Sequence, residues 1–132
     1  EVTYLGTHLT GRPHLKAARI PLAAAPRFDL LEFAQLHHHA QAILLDAQVD
    51  GFGGGGKAFN WSLLPPSVNA HLVLSGGLTP ANVADGIRLL RSRARSLAVD
   101  VSSGIEAGKG LKDADKIRQF VAAVRTADNS AC

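Results

Sequence analysis

No methionine occurs in this chain of 132 residues, and its one cysteine, Cys132, is the last residue. A single thiol excludes a disulfide within the chain and fits a reducing compartment. In a polar tail, Cys132 is expected to fray rather than to act as a nucleophile. Without methionine, the sequence reads as a processed product or a piece of a longer chain. No apolar run reaches the roughly 18 residues that a membrane span needs, and no signal-peptide pattern is seen. We therefore expect a cytoplasmic protein with no membrane partner. An excess of one charge is also lacking: 14 Lys and Arg face 11 Asp and Glu, a net charge of +3. The basic residues are scattered, which argues against nucleic acid. The densest group, Arg88, Arg91, Arg93 and Arg95, falls on an expected helix and its exit, as a solvated face would. A mildly basic balance does suit a small phosphorylated anion.

What is present is an ordinary globular composition, 46% hydrophobic and 19% charged, enough for one core. We expect a single domain over residues 1–132, without linker or low-complexity tract. Three apolar runs end alike, in polar or glycine residues. Ala42-Ile43-Leu44-Leu45 ends on Asp46, His71-Leu72-Val73-Leu74 on Ser75-Gly76-Gly77, and Leu97-Ala98-Val99 on Asp100. Each punctuation lies about 25–30 residues from the last, one strand-plus-helix unit. Polar groups at the carboxyl ends of successive parallel strands are the layout of a (β/α) TIM-type barrel. The expected fold is thus α/β, with parallel strands alternating with helices. A complete eightfold barrel typically takes about 200 residues or more, so this chain holds roughly half to five-eighths of one.

The element order expected is β-β-α-β-α-β-α-β-α. Val2–Leu5 and Leu15–Ile20 are the first two strands, and Phe28, Leu31, Phe33, Ala34 and Leu36 mark a helix over residues 29–39. Ala42–Asp46 is apolar without alternation, as an interior parallel strand is. A helical turn near Trp61 is stopped by Pro65-Pro66. After the His71–Leu74 strand, Thr79 and Pro80 are expected as N-cap and first helical position, with Val83, Ile87 and Leu90 on one face. Leu97–Val101 is the last strand. A final helix from Asp113 turns Ile117, Phe120, Val121 and Val124 inward, with Arg125 at its carboxyl end.

Candidate chemistry follows the same punctuation. Asp46 is either a hydrogen-bonded strand-end carboxylate or, in a partly dry mouth, a proton donor. Asp100 has the same ambiguity. Ser75-Gly76-Gly77 and Ser102-Ser103-Gly104 offer hydroxyls and open backbone N–H groups, and loops after the last strands of a barrel are the usual phosphate cradle. Gly53-Gly54-Gly55-Gly56, with Gly51 and Lys57, nearly matches a P-loop, but Ala58 supplies no hydroxyl for magnesium and Pro65-Pro66 cuts the following helix short. A glycine loop over the mouth is the better account. His37-His38-His39 cannot converge on one metal ion from successive helical positions, and a helix end explains them. No metal site is expected.

These residues resemble a known family. Leu44-Leu45-Asp46, the glycine loop with Phe59-Asn60-Trp61, Leu74-Ser75-Gly76-Gly77-Leu78 with Pro80 and Asn82-Val83, and Asp100-Val101-Ser102-Ser103-Gly104-Ile105-Glu106 with Lys109-Gly110 and Lys112-Asp113 look like phosphoribosylanthranilate isomerase of tryptophan biosynthesis. The likeness runs from about His14 to Val124 and covers the later strands of that barrel. Gly55 stands where the family usually has threonine or serine, and Asn60 where it has aspartate.

The resemblance implies a cofactor-free Amadori rearrangement of N-(5-phosphoribosyl)anthranilate to a 1-amino-1-deoxyribulose phosphate. Asp46 matches the general acid at the ribose ring oxygen. Gly76, Gly77, Ser102 and Ser103, with Gly104, match the phosphate-binding groups, and Asp100 a residue near the substrate. The family's base is a strand-one cysteine in a Lys-Ile-Cys-Gly motif that this sequence does not contain. The runner-up is a non-catalytic phosphate-binding or assembly half-barrel. A synthase of indole-glycerol phosphate fits less well, since its lysine and glutamate set is not seen. Open sheet edges should favour self-association.

Overall fold

The computed structural model describes residues 11–22, 28–48, 58 and 60–130. Four strands form one parallel sheet in the order of the chain: β1 (Leu15–Pro21), β2 (Ala42–Gln48), β3 (Val68–Leu74) and β4 (Ala94–Val99). Helix α1 (Leu30–Leu36) joins β1 to β2, and α2 (Val83–Leu90) joins β3 to β4. A 3-10 turn over Trp61–Leu63 precedes β3. Beyond β4 come a 3-10 turn at Ser103–Ile105, a small antiparallel hairpin of β5 (Glu106–Gly108) and β6 (Leu111–Lys112), and the long helix α3 (Ala114–Asn129). Parallel strands wound in sequence with helices between them make a partial barrel of the TIM type.

The ladder shows which face each residue takes, because partners in register project to the same side. Ala18, Leu45, Leu74 and Val99 form one row, and Ile43, Leu72 and Leu97 another. These point toward the helices. Leu45, Leu72 and Leu74 are fully buried there with Leu30, Val83 and Leu90, each leucine contributing about 1.5–3 kcal/mol. Val83, Ile87 and Leu90 follow helical spacing and are all buried, as expected.

The opposite row, Ala17, Leu44, Val73 and Ala98, faces what would be the barrel interior. Ala17 and Ala98 are exposed, and Leu44 and Val73 half-buried. At the amino end of the same face Leu15 is 54% exposed. One face of the sheet is thus packed and the other uncovered among the described residues.

Several boundaries and faces differ from the sequence expectation. The expected strand Val2–Leu5 lies outside the described residues. Strand β4 spans Ala94–Val99 rather than residues 97–101, and β3 starts at Val68. Asp29 caps α1 through Glu32 N–H at 3.0 Å, so Leu30 takes the core position while Leu31 and Leu36 are exposed. Thr79 does not cap α2. Asn82 Oδ1 accepts from Thr79 N–H at 2.8 Å and its Nδ2 donates to the Gly77 carbonyl, closing a turn that delays the helix to Val83. In α3 the buried residues are Phe120 and Ala127, seven apart, and Ile117 and Val121 flank that stripe in the open. Arg125 does not mark the end of α3, which runs on to Asn129. The arginine group is a surface set: Arg88 pairs with Asp85, Arg91 with Asp128, and Arg93 donates to the Leu64 carbonyl.

Candidate active site

The carboxyl ends of β2, β3 and β4 lie side by side. Ser75 N–H donates to the Leu45 carbonyl at 2.8 Å, and Asp100 N–H to the Leu74 carbonyl at 2.9 Å. Asp46 projects from β2 on the uncovered face, half-buried, in register with Arg19 of β1. The strand continues two residues past Asp46, which is therefore on its rim rather than beyond its end.

Gly76 and Gly77 follow β3 with φ of 78° and 66°, the left-handed region where glycine carries no steric cost. Gly76 has a second reason to be glycine. A Cβ there would collide with Asp46 Oδ1 and sit 2.7 Å from Ala47 N, so the carboxylate is packed directly against the loop. The next loop closes on the same place: a Cβ at Gly104 would overlap the Leu78 carbonyl oxygen and come within 3.2 Å of Thr79 Cα. Ser75 Oγ donates to Asp100 Oδ2 at 2.9 Å, tying the two loops at their roots. Asp46, Gly76, Gly77, Asp100, Ser102, Ser103 and Gly104 thus share one end of one sheet. Gly53, Gly54, Gly55 and Gly56, with Gly51 and Lys57, lie outside the described residues.

Asn60, the departure from aspartate, accepts from both Ser62 N–H and Ser62 Oγ and caps the Trp61 turn. A carboxamide oxygen therefore serves this cap as a carboxylate would. The histidines sit at a turn after α1 rather than on a helix: His37 is its C-cap, its ring tilted against Phe33, and the His38 and His39 rings are tilted against each other. Burial, then Lys16 and His14, holds the His37 imidazole below its usual pKa. Among the described residues no cluster of three His, Cys, Asp or Glu could hold a metal ion.

Sequence reasoning did not foresee the β5–β6 hairpin. Glu106 sits at its base, and Lys112 Nζ donates to Glu106 Oε1 at 2.8 Å and to the Ser102 carbonyl at 2.9 Å. The Lys112 bond, then the Gly110 N–H, holds the Glu106 carboxyl below its ordinary value. Asp113 is likewise lowered, by Lys116 N–H and then Asp115 N–H at the start of α3. Depressed carboxyl pKa values stabilise the fold above the ordinary values of 4.5 and 3.8, and that contribution is lost as pH falls through the lower folded values. Thermal melts between about pH 6 and pH 2 should show the loss below about pH 4.5, with a shallower slope in an E106Q/D113N double variant. Equal slopes in the two proteins would contradict this.

Parallel strands wound in order, with polar groups gathered at their carboxyl ends, define a TIM-type barrel protein. The particular family is equally plain. The chain belongs to the N-(5'phosphoribosyl)anthranilate isomerase family, whose model matches residues 14–123. It is 58% identical over 118 residues to the isomerase of Methylibium petroleiphilum, covering 89% of this chain and 52% of that one. It is 59% identical to that of Leptothrix cholodnii, covering 90% and 50%. Among solved structures, phosphoribosyl anthranilate isomerase from Thermotoga maritima aligns with a TM-score of 0.69 at 35% identity, covering 96% of this chain and 58% of that one. A phosphoribosyl anthranilate isomerase in complex with reduced 1-(o-carboxyphenylamino)-1-deoxyribulose 5-phosphate aligns at 0.62 with 30% identity, covering 96% and 56%. The chain spans about half the length of the curated relatives it matches.

Proposed function

We propose that residues 1–132 form one domain, the later part of an isomerase barrel, and that its carboxyl-end loops bind and help rearrange N-(5-phosphoribosyl)anthranilate. The observation that carries this reading is the contact of Asp46 with Gly76, beside the contact of Gly104 with Leu78. An acid and two glycine-bearing loops meet at one mouth.

In this reading the phosphate rests on backbone N–H groups of Gly76–Gly77 and Ser102–Gly104, which cost no reorganisation when it arrives. Asp46 donates its proton to the ribose ring oxygen, and the C1–O bond breaks as the anilino nitrogen lone pair forms the Schiff base. A base then takes the C2 proton, and tautomerisation yields the ketose. The step is an isomerisation, so no oxidant or cofactor enters its balance. The base and the rest of the barrel wall must come from another segment, because the sequence has no cysteine before Cys132. That gap is what favours the alternative, a phosphate-binding half-barrel without turnover.

The test is binding. The chain, joined to the amino-terminal half of the Leptothrix relative, is titrated with the reduced deoxyribulose phosphate analogue while backbone amides are followed. We expect the largest shifts at Gly77 and Ser103. Shifts confined to other loops would rule out the cradle.

We also propose a cytoplasmic location, on the single cysteine; among the described residues no helix is long and apolar enough to cross a membrane. Alone, the chain should self-associate, because among the described residues the edges of β1 and β4 are open and the row of Ala17, Leu44, Val73 and Ala98 is uncovered. Sedimentation should show mass rising with concentration. A sharp monomer with cooperative unfolding would contradict this.

A further inference from the structure

Among the candidate loops, the one carrying Ser102 and Ser103 is held from outside by a side chain that lies beyond the mouth. Lys112 stands on β6, ten residues downstream, and its ammonium bridges two acceptors: the Ser102 carbonyl at 2.9 Å and Glu106 Oε1 at 2.8 Å. Its distance to Ser102 Oγ is 3.4 Å. Glu106 is fixed in turn, since Gly110 N–H donates to its other oxygen at 3.2 Å. The backbone is pinned as well: Lys116 Nζ donates to the Glu106 carbonyl, and Asp113 N–H to the Ile105 carbonyl at 2.8 Å.

We propose that Lys112, seated by Glu106, is a positioning residue that aims the Ser103 N–H into the anion cradle. The inference rests on the cradle reading given above. Its mechanism is peptide planarity. The Ser102 carbonyl and the Ser103 N–H belong to one trans peptide unit and point in opposite directions. Holding the carbonyl on the Lys112 ammonium therefore turns the N–H away from the hairpin. The Ile105 N–H, also directed at the Ser102 carbonyl at 3.4 Å, reinforces the same orientation. A preset donor loses little entropy on binding, whereas a peptide free to rotate must first be ordered.

Positioning also gives the hairpin a purpose: β5 and β6 bring Glu106 and Lys112 into register beside the loop. It can be separated from a simpler role, in which Lys112 merely lends positive charge. Glu106→Leu removes a negative charge near the mouth together with the acceptor that seats the ammonium. A charge effect alone then predicts tighter anion binding, and positioning predicts weaker binding because the ammonium loses its seat.

The experiment uses the chain joined to the amino-terminal half of the Leptothrix relative, with inorganic phosphate as probe, followed through the amide shifts of Gly77, Ser102, Ser103 and Gly104. K112M and E106L should each weaken phosphate binding roughly tenfold or more, the scale of one charge-assisted hydrogen bond. K112R, which restores a donor and the charge, should recover much of it. Gly77 should still respond in every variant, reporting a folded second loop. Phosphate affinity unchanged in K112M, or raised in E106L, would overturn the proposal while leaving the cradle intact. No phosphate response at Gly77 or Ser103 in the unaltered joined protein would overturn the cradle itself and this inference with it.

Discussion

Asp46→Asn, made in the chain joined to a relative's amino-terminal half, is expected to lower isomerase turnover by about 10²–10⁴-fold, the usual share of a general acid. The change is nearly isosteric. A carboxamide has the size and shape of the carboxylate that now packs against Gly76, so the loop keeps its neighbour. What it cannot do is release a proton to the departing ring oxygen. Substrate affinity should therefore change little if, as proposed, the neighbouring loops hold the phosphate. The signature is a fall in kcat with KM nearly constant. Full turnover in the asparagine form would remove Asp46 from the mechanism.

The second large effect is structural, and a built-in control accompanies it. Gly104→Ala places a methyl group on the Leu78 carbonyl oxygen, with backbone rather than a flexible side chain in the way. The loops after β3 and β4 must then separate. Overpacking of this kind costs about 1–3 kcal/mol and at times more. Gly108→Ala, four residues on in β5, meets nothing within 4 Å and should shift stability by no more than about 0.5 kcal/mol. We expect Gly104→Ala to lose phosphate binding as well as stability, and Gly108→Ala to keep both. Equal behaviour of the two variants in thermal melts and phosphate titration would show that the loops do not meet.

The parts of this protein that are legible in sequence are those whose pattern is local. Strand β2 declares itself because its run Ala42–Leu45, flanked by a parallel strand on each side, carries no polar residue before Asp46. The stripe of Val83, Ile87 and Leu90 needs only helical spacing to be read. Glycines 76 and 77 stand out because the chain must turn there with positive φ.

What sequence does not reveal depends on partners distant along the chain or on competition between neighbours. Thr79 and Pro80 form a good helix start in isolation, yet the Asn82 carboxamide bonds back to Thr79 N–H and Gly77 and makes a turn instead. The β5–β6 hairpin is too short and glycine-rich to show alternation. Its stability comes from Glu106 and Lys112 meeting across it and from Lys116 on α3. Apolar Ile117 and Val121 look inward by composition, but Phe120 and Ala127 set the buried face of α3. The cap that Asn60 places on the Trp61 turn is seen only in its bonds to Ser62, where an amide oxygen does what a carboxylate would.

The most direct measurement is turnover of N-(5-phosphoribosyl)anthranilate by this chain joined to the amino-terminal half of the Leptothrix cholodnii isomerase. The joined protein is predicted to convert substrate steadily to the deoxyribulose phosphate, and either half alone to show no conversion above background. A joined protein that unfolds cooperatively and binds phosphate, yet converts no substrate, would contradict the assignment and leave the chain a phosphate-binding half-barrel.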